Sequence, residues 1–168
     1  WWAIRPSMRF PTLELRIADA CPRVEDALCV AAIFRAMVTQ VCIEPELSAA
    51  RNEMTRLLIE ENRWRAKRFG ARATFLHQKS RRNLPIDDWL TMAVERFGPA
   101  ASAAGDDWVW AHARNLLRDG GSAERQLARY ADARNEGANR TQALRNVVDM
   151  LLRDTLMQGT SMRDAVGV

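Results

Sequence analysis

The chain is poor in the signatures that announce a familiar chemistry. Its three cysteines, Cys21, Cys29 and Cys42, are odd in number and carry no C-x-x-C spacing. That excludes a disulfide framework and a thiolate zinc ribbon, and predicts reduced thiols in apolar surroundings. The two histidines, His77 and His112, stand alone, with no H-E-x-x-H and no cysteine partner, so neither predicts a zinc site. A Walker-type glycine loop is missing too, and Gly120-Gly121 before Ser122 reads as a turn between helices rather than a phosphate cradle. No uninterrupted apolar run reaches the roughly 18 residues of a membrane span, and no charged-then-apolar signal segment opens the chain. Repeats and low-complexity segments are absent. These absences together lead to the expectation of a soluble, cytoplasmic chain.

What is present is an ordinary globular composition. With 168 residues, 48% hydrophobic and 27% charged, the chain is one domain's worth and long enough to bury a core. The net charge is +4 and the pI near 9.5, which admits an anionic ligand without choosing between nucleotide and nucleic acid. Lys67 and Lys79 are the only lysines, so arginine carries nearly all the positive charge. Guanidinium forks suit phosphate and carboxylate. Two readings from other classes are a basic nucleic-acid-binding module and a non-catalytic helical interaction domain. Against the first, the arginines alternate with Asp and Glu along the helices instead of forming one basic, aromatic face.

The chain begins in the middle of an apolar pattern at Trp1, which reads as a cut within a longer protein. Strand-like patterning covers Trp1 to Arg5 and Thr12 to Ala18, with a hairpin loop from Pro6 to Pro11. Two strands are marginal in water, so they are expected to belong to a larger sheet. From Pro22 to the stop at Pro45 the spacing is helical. A second helix is expected from an N-cap at Ser48 to Arg68, with Gly70 ending it. Ala73 to Gln78 reads as a short strand or extended link. Helices follow over Ile86–Phe97, Asp107–Asp119, Ser122–Asn135 and Asn139–Met157, separated at Gly98-Pro99, Gly120-Gly121 and Gly137. Asn139 followed by Gln142 has the form of a capping box. Trp108 and Trp110 are expected in the core or an interface.

The unusual feature of the first strands is a charge pair in "PTLELRIADA". Alternation places Leu13, Leu15 and Ile17 on one face and Glu14 and Arg16 on the other, roughly 6.5 to 7 Å apart. One reading is a solvated sheet face carrying a weak ion pair worth at most about 1 kcal/mol. The other is the floor of a site, where a carboxylate suits Mg²⁺ and a guanidinium suits a transferring phosphoryl group. Arg5, at the end of the preceding strand, is placed to bind a phosphate or carboxylate on the same face, or to cap the hairpin end. On the second helix, Leu47, Ala50, Met54, Leu57, Leu58 and Trp64 trace an apolar stripe that Glu61, Arg65 and Arg68 continue. These polar groups either pair with one another, Glu61 with Arg65, or face a ligand.

The run "WWAIRPSMRFPTLELRIADACPRVEDA", with "ENRWRAKRFG" and "GGSAERQLARY" downstream, resembles the carboxylate-amine ligase family, glutamate-cysteine ligase type 2, in its C-terminal half. The resemblance implies an α+β fold: a hairpin of a glutamine-synthetase-like antiparallel sheet carrying site residues over 1–20, followed by a mostly α-helical part over 21–168. It implies an ATP-dependent enzyme with Glu14 as Mg²⁺ ligand, Arg16 as phosphate clamp and Arg5 beside them. Glu61, Arg65 and Arg68 are then candidates for substrate or phosphate contacts. The implied partners are small molecules: glutamate, ATP, and cysteine or another amine, with neither nucleic acid nor membrane, and with homo-oligomerisation left open. The piece alone is expected to be inactive.

Overall fold

The computed structural model describes residues 4–47 and 52–156. It is α+β, mostly helical, with two small antiparallel hairpins. Backbone contacts divide it into two compact units, Trp1–Phe34 with Ser122–Val168, and Arg35–Gly121.

In the first unit, β1 (Ile4–Pro6) pairs with β2 (Leu13–Leu15), Ile4 opposite Leu15 and Arg5 opposite Glu14. β2 is shorter than the alternation suggests, and β1 runs on to Pro6. Pro6 and Pro11 have no N–H to donate, and the Ser7 hydroxyl instead organises the loop by accepting from Arg9 N and Phe10 N. Arg16 therefore falls just beyond β2, and Trp1 to Ala3 lie outside the described residues. Helix α1 (Val24–Ile43), which belongs to this unit as far as Phe34 and to the second from Arg35 on, opens with Glu25 and Asp26, favourable against the positive end of the helix dipole, and stops before Pro45 as expected. It is long and apolar enough, by length and composition alone, to cross a membrane, although its charges interrupt the apolar run in the sequence. Here Cys29, Ala32 and Ala36 on it are buried, and its Asp26 pairs with Arg125.

Helices α5 (Ser122–Asn135) and α6 (Arg140–Leu156) form an antiparallel hairpin turning at Gly137, whose φ of 92° is free of strain only for glycine. The capping box is made in full: Gln142 N donates to Asn139 Oδ1 at 3.0 Å and Asn139 N to Gln142 Oε1 at 2.9 Å. Met157, the expected end of this helix, lies outside the described residues. Ala133, Ala143 and Val147 are buried, and Arg125 bridges Asp26 and Asp154.

In the second unit, α2 runs from Glu53 to Phe69. Its cap is Asn52, whose Oδ1 accepts from Thr55 N at 2.9 Å; Ser48 and Ala50 lie outside the described residues. Gly70 ends it with φ 55°, as expected. The apolar stripe does not enter a core: no residue of α2 is buried, and Met54, Leu57 and Trp64 are about half exposed. Strand β3 (Thr74–His77) pairs with β4 (Arg82–Pro85), a partner that the sequence reading missed.

Helix α3 (Ile86–Ala103) continues through Gly98-Pro99, where a break was expected. The clash that normally bars a helix before proline is between the proline Cδ and the preceding side chain. Gly98 has no Cβ to clash, and burial of Ala100 and Ala101 holds the helix beyond it. Asp106, buried in the turn to α4 (Trp108–Asp119), pairs with Arg35. Trp110 is buried, while Trp108 is 43% exposed with its ring edge-on to His112. Of the three thiols, all free, only Cys29 is buried; Cys42, expected in the core, is exposed. The buried apolar residues are mainly alanines, and the large apolar side chains are mostly partly or largely exposed.

Candidate functional site

The β1–β2 pairing assembles three of the residues singled out in the sequence. Cross-strand register sets Arg5 opposite Glu14, and Arg5 holds Glu14 Oε2 through its Nε at 3.0 Å and its terminal nitrogen at 2.7 Å. Arg16 Nε reaches the other oxygen, Oε1, at 3.1 Å. A carboxylate is thus held between two guanidinium groups, with side-chain exposures of 50% for Arg5, 41% for Glu14 and 34% for Arg16. Solvent screening at that exposure limits each pair to about 1 kcal/mol or less, so exchange of partners with an incoming ligand costs the fold little. A single accessible carboxylate fits one oxygen ligand of a Mg²⁺ ion that keeps water and phosphate oxygens. No group of three or more His, Cys, Asp or Glu suited to a metal gathers among the described residues.

Glu61, Arg65 and Arg68 belong to the other unit. Arg65 Nε donates to Glu61 Oε1 at 2.7 Å, one helical turn away. Its NH1 also donates to Thr74 O at 3.3 Å and Asn83 Oδ1 at 3.2 Å, tying α2 to both strands of the second hairpin. Arg68 lies over the Phe69 ring, 5.6 Å from its centroid.

The sequence reading missed Asn62. Its side-chain amide pairs with the backbone of Leu76 as a neighbouring strand would, Nδ2 donating to Leu76 O at 2.9 Å and Oδ1 accepting from Leu76 N at 2.7 Å. An Asn in mid-helix is an unfavourable choice on propensity, and that was the available signal. His77 Nδ1 lies 2.9 Å from Ser80 Oγ, and its ring is edge-on to Trp89. Gly120, with φ 88°, caps α4 by donating to Leu116 O, in keeping with a turn.

Comparison with known proteins adds a family to this geometry. The model for glutamate-cysteine ligase family 2 (GCS2) matches residues 1–149. The protein named "Putative glutamate--cysteine ligase 2" from Ectopseudomonas mendocina is 52% identical over 155 residues, covering 92% of this chain and 41% of that protein. Proteins of the same name from Pseudomonas fluorescens and Rhodospirillum rubrum are each 42% identical. They cover 96% and 93% of this chain, and 42% and 40% of their own lengths. The chain therefore spans about two-fifths of the length of these relatives. No solved structure matches it. With the family model covering nearly the whole chain and relatives agreeing along it, the chain belongs to glutamate-cysteine ligase family 2.

Proposed function

We propose that this chain carries part of the active site of an ATP-dependent carboxylate-amine ligase that joins glutamate to cysteine. The observation that carries the reading is Glu14 held between Arg5 and Arg16 on a paired strand, in a chain of this family. In this reading the β1–β2 hairpin belongs to a glutamine-synthetase-like antiparallel sheet. ATP phosphorylates the side-chain carboxylate of glutamate, and the amine of cysteine then displaces phosphate to leave an amide. Activation is needed because a carboxylate, already negative, is a poor acceptor for an amine.

Glu14 would hold Mg²⁺, which when bound offsets charge on the phosphates. Arg16 clamps the transferring phosphoryl group, and Arg5 binds a second phosphate oxygen or the substrate carboxylate. Both guanidinium groups lie against Glu14, and in this reading they meet the charge that develops on the phosphoryl group. On α2, Arg68 is the proposed contact for a substrate phosphate or carboxylate, while Glu61 and Arg65 fix the helix end. The protein's own cysteines take no part, since the reacting cysteine is a substrate.

The test is phosphate release from ATP and Mg²⁺ by the full-length protein, with glutamate and with or without cysteine, beside Glu14→Gln and Arg16→Gln. Cysteine-stimulated release that drops about 10²-fold or more in both variants is expected. Release that ignores cysteine and a panel of other amines removes the ligase reading. Release unchanged by Glu14→Gln removes the site.

A further inference from the structure

Helix α6 carries apolar residues on two faces. Ala143 and Val147 are buried on one, where the helix packs with α5. The other stays uncovered among the described residues: Leu144, Val148 and Leu152 are about half exposed, and Leu156 at the helix end is more exposed still. Steps of four keep these side chains in one ridge, and residues four apart form the commonest ridge by which helices pack. Single exposed leucines are ordinary, whereas a contiguous ridge along a whole helix marks a surface that meets something.

The edge of the ridge points to what it meets. Arg145 and Asp149 lie one turn apart on the same flank, beside Val148. Among the described residues neither makes an ion pair, and an arginine four residues before an aspartate is the weaker order for pairing within a helix. When two copies of α6 are set antiparallel about Val148, Leu144 of each meets Leu152 of the other, with the smaller valine at the centre where like meets like. Reversal of direction brings Arg145 of one copy to the same edge as Asp149 of the other, about 3 Å apart along the axis. The two-fold repeats this contact, so two ion pairs flank one apolar seam. The pattern complements itself, in apolar shape and in charge.

We infer that the exposed ridge of α6 is a self-association surface whose partner is α6 of a second copy of this protein, antiparallel and two-fold related. One helix per copy makes an interface toward the small end of stable contacts, so association is expected in the micromolar range. The inference does not rest on the ligase reading, because α6 holds none of the residues proposed for that reaction.

The experiment is sedimentation equilibrium of the full-length protein across micromolar concentrations. It compares the parent, Val148→Asp, Arg145→Glu, Asp149→Arg and an equimolar mixture of the last two. The parent is expected to be a dimer that Val148→Asp dissociates. Each charge variant alone sets like charges against each other at both rim contacts, so its dissociation constant should rise about ten-fold. In the mixture opposite charges face again at both contacts, and mixed dimers should form with the parent's strength. Arg145 and Asp149 are exposed, so these variants keep the fold, which their melting temperatures check. A parent that stays monomeric overturns the proposal. So does a dimer that none of the variants weakens, or a mixture that associates no better than its components. A Val148→Asp protein that melts lower while associating as the parent does shows that another part of the same polypeptide covers the ridge, which also overturns it.

Discussion

Replacing Asn62 with Ala tests whether one side chain fastens α2 to the second hairpin. The substitution removes two hydrogen bonds, of 2.9 and 2.7 Å, to the partly buried backbone of Leu76. At about 1 kcal/mol each, with a further penalty where Leu76 N and O stay shielded from water, the loss comes to about 2 to 3 kcal/mol. Alanine returns roughly 0.5 kcal/mol as the better helix former, leaving a net destabilisation of about 2 kcal/mol. Urea unfolding of the full-length protein reads the total, and hydrogen exchange at the Leu76 amide reads the local part. Asn62→Asp supplies a control with a distinctive pH signature. Ionised, it keeps an acceptor for Leu76 N but sets an oxygen against Leu76 O. Protonated, it regains a donor and mimics the amide. Its stability deficit at neutral pH should therefore shrink as pH falls through the carboxyl range near about 4. If Asn62→Ala costs under about 0.5 kcal/mol and leaves Leu76 exchange unchanged, the clamp is not what joins the helix to the strands.

Two further outcomes concern the first unit. Arg125 stands 3.4 Å from Asp26, a residue only 6% exposed, and 3.8 Å from Asp154, which also pairs with Arg23 at 3.2 Å, so Arg125→Met takes a cation chiefly from the shielded Asp26 and should cost about 3 kcal/mol. A loss below about 1 kcal/mol in chemical denaturation would show that the carboxylates do not rely on it. Burial first, and then Asp26 and Cys21, push the Cys29 thiol from 9.0 up to about 11. The folded state then holds a proton that the unfolded chain releases, so this contribution is intact below pH 9 and disappears between pH 9 and 11. Stability measured across that window should fall less steeply in Cys29→Ala, and exposed Cys42 should be alkylated well before Cys29.

Local chemistry was legible in the sequence wherever neighbouring residues decide the outcome. The Asn139 and Gln142 box, the stops at Pro45 and Gly70, and the bounds of α5 all depend on contacts within a few residues. The misses depended on partners further away. Gly98-Pro99 looks like a terminator until the missing Cβ of Gly98 and the burial of Ala100 and Ala101 are known. β4 was invisible because "RNLP" has almost no alternation of its own and exists through its pairing with β3. At the candidate site, the Glu14 and Arg16 pairing followed from strand geometry, whereas the two bonds from Arg5 required the register of the hairpin. The apolar stripe of α2 was legible as a stripe, but that it lies largely exposed was not, because periodicity records which face is apolar and not what meets it.

The bond between Asn62 and Leu76 has one more consequence, for how the hairpins can associate. Leu76 N and O, with Thr74 O, are the groups that β3 would offer to another strand, and side chains from α2 already occupy them. On the far side, β4 ends in Pro85, which has no N–H to offer. The β3 edge of the second hairpin is therefore closed to edge-to-edge growth, guarded against the aggregation that bare strand edges invite, and Pro85 withholds one donor from the β4 edge.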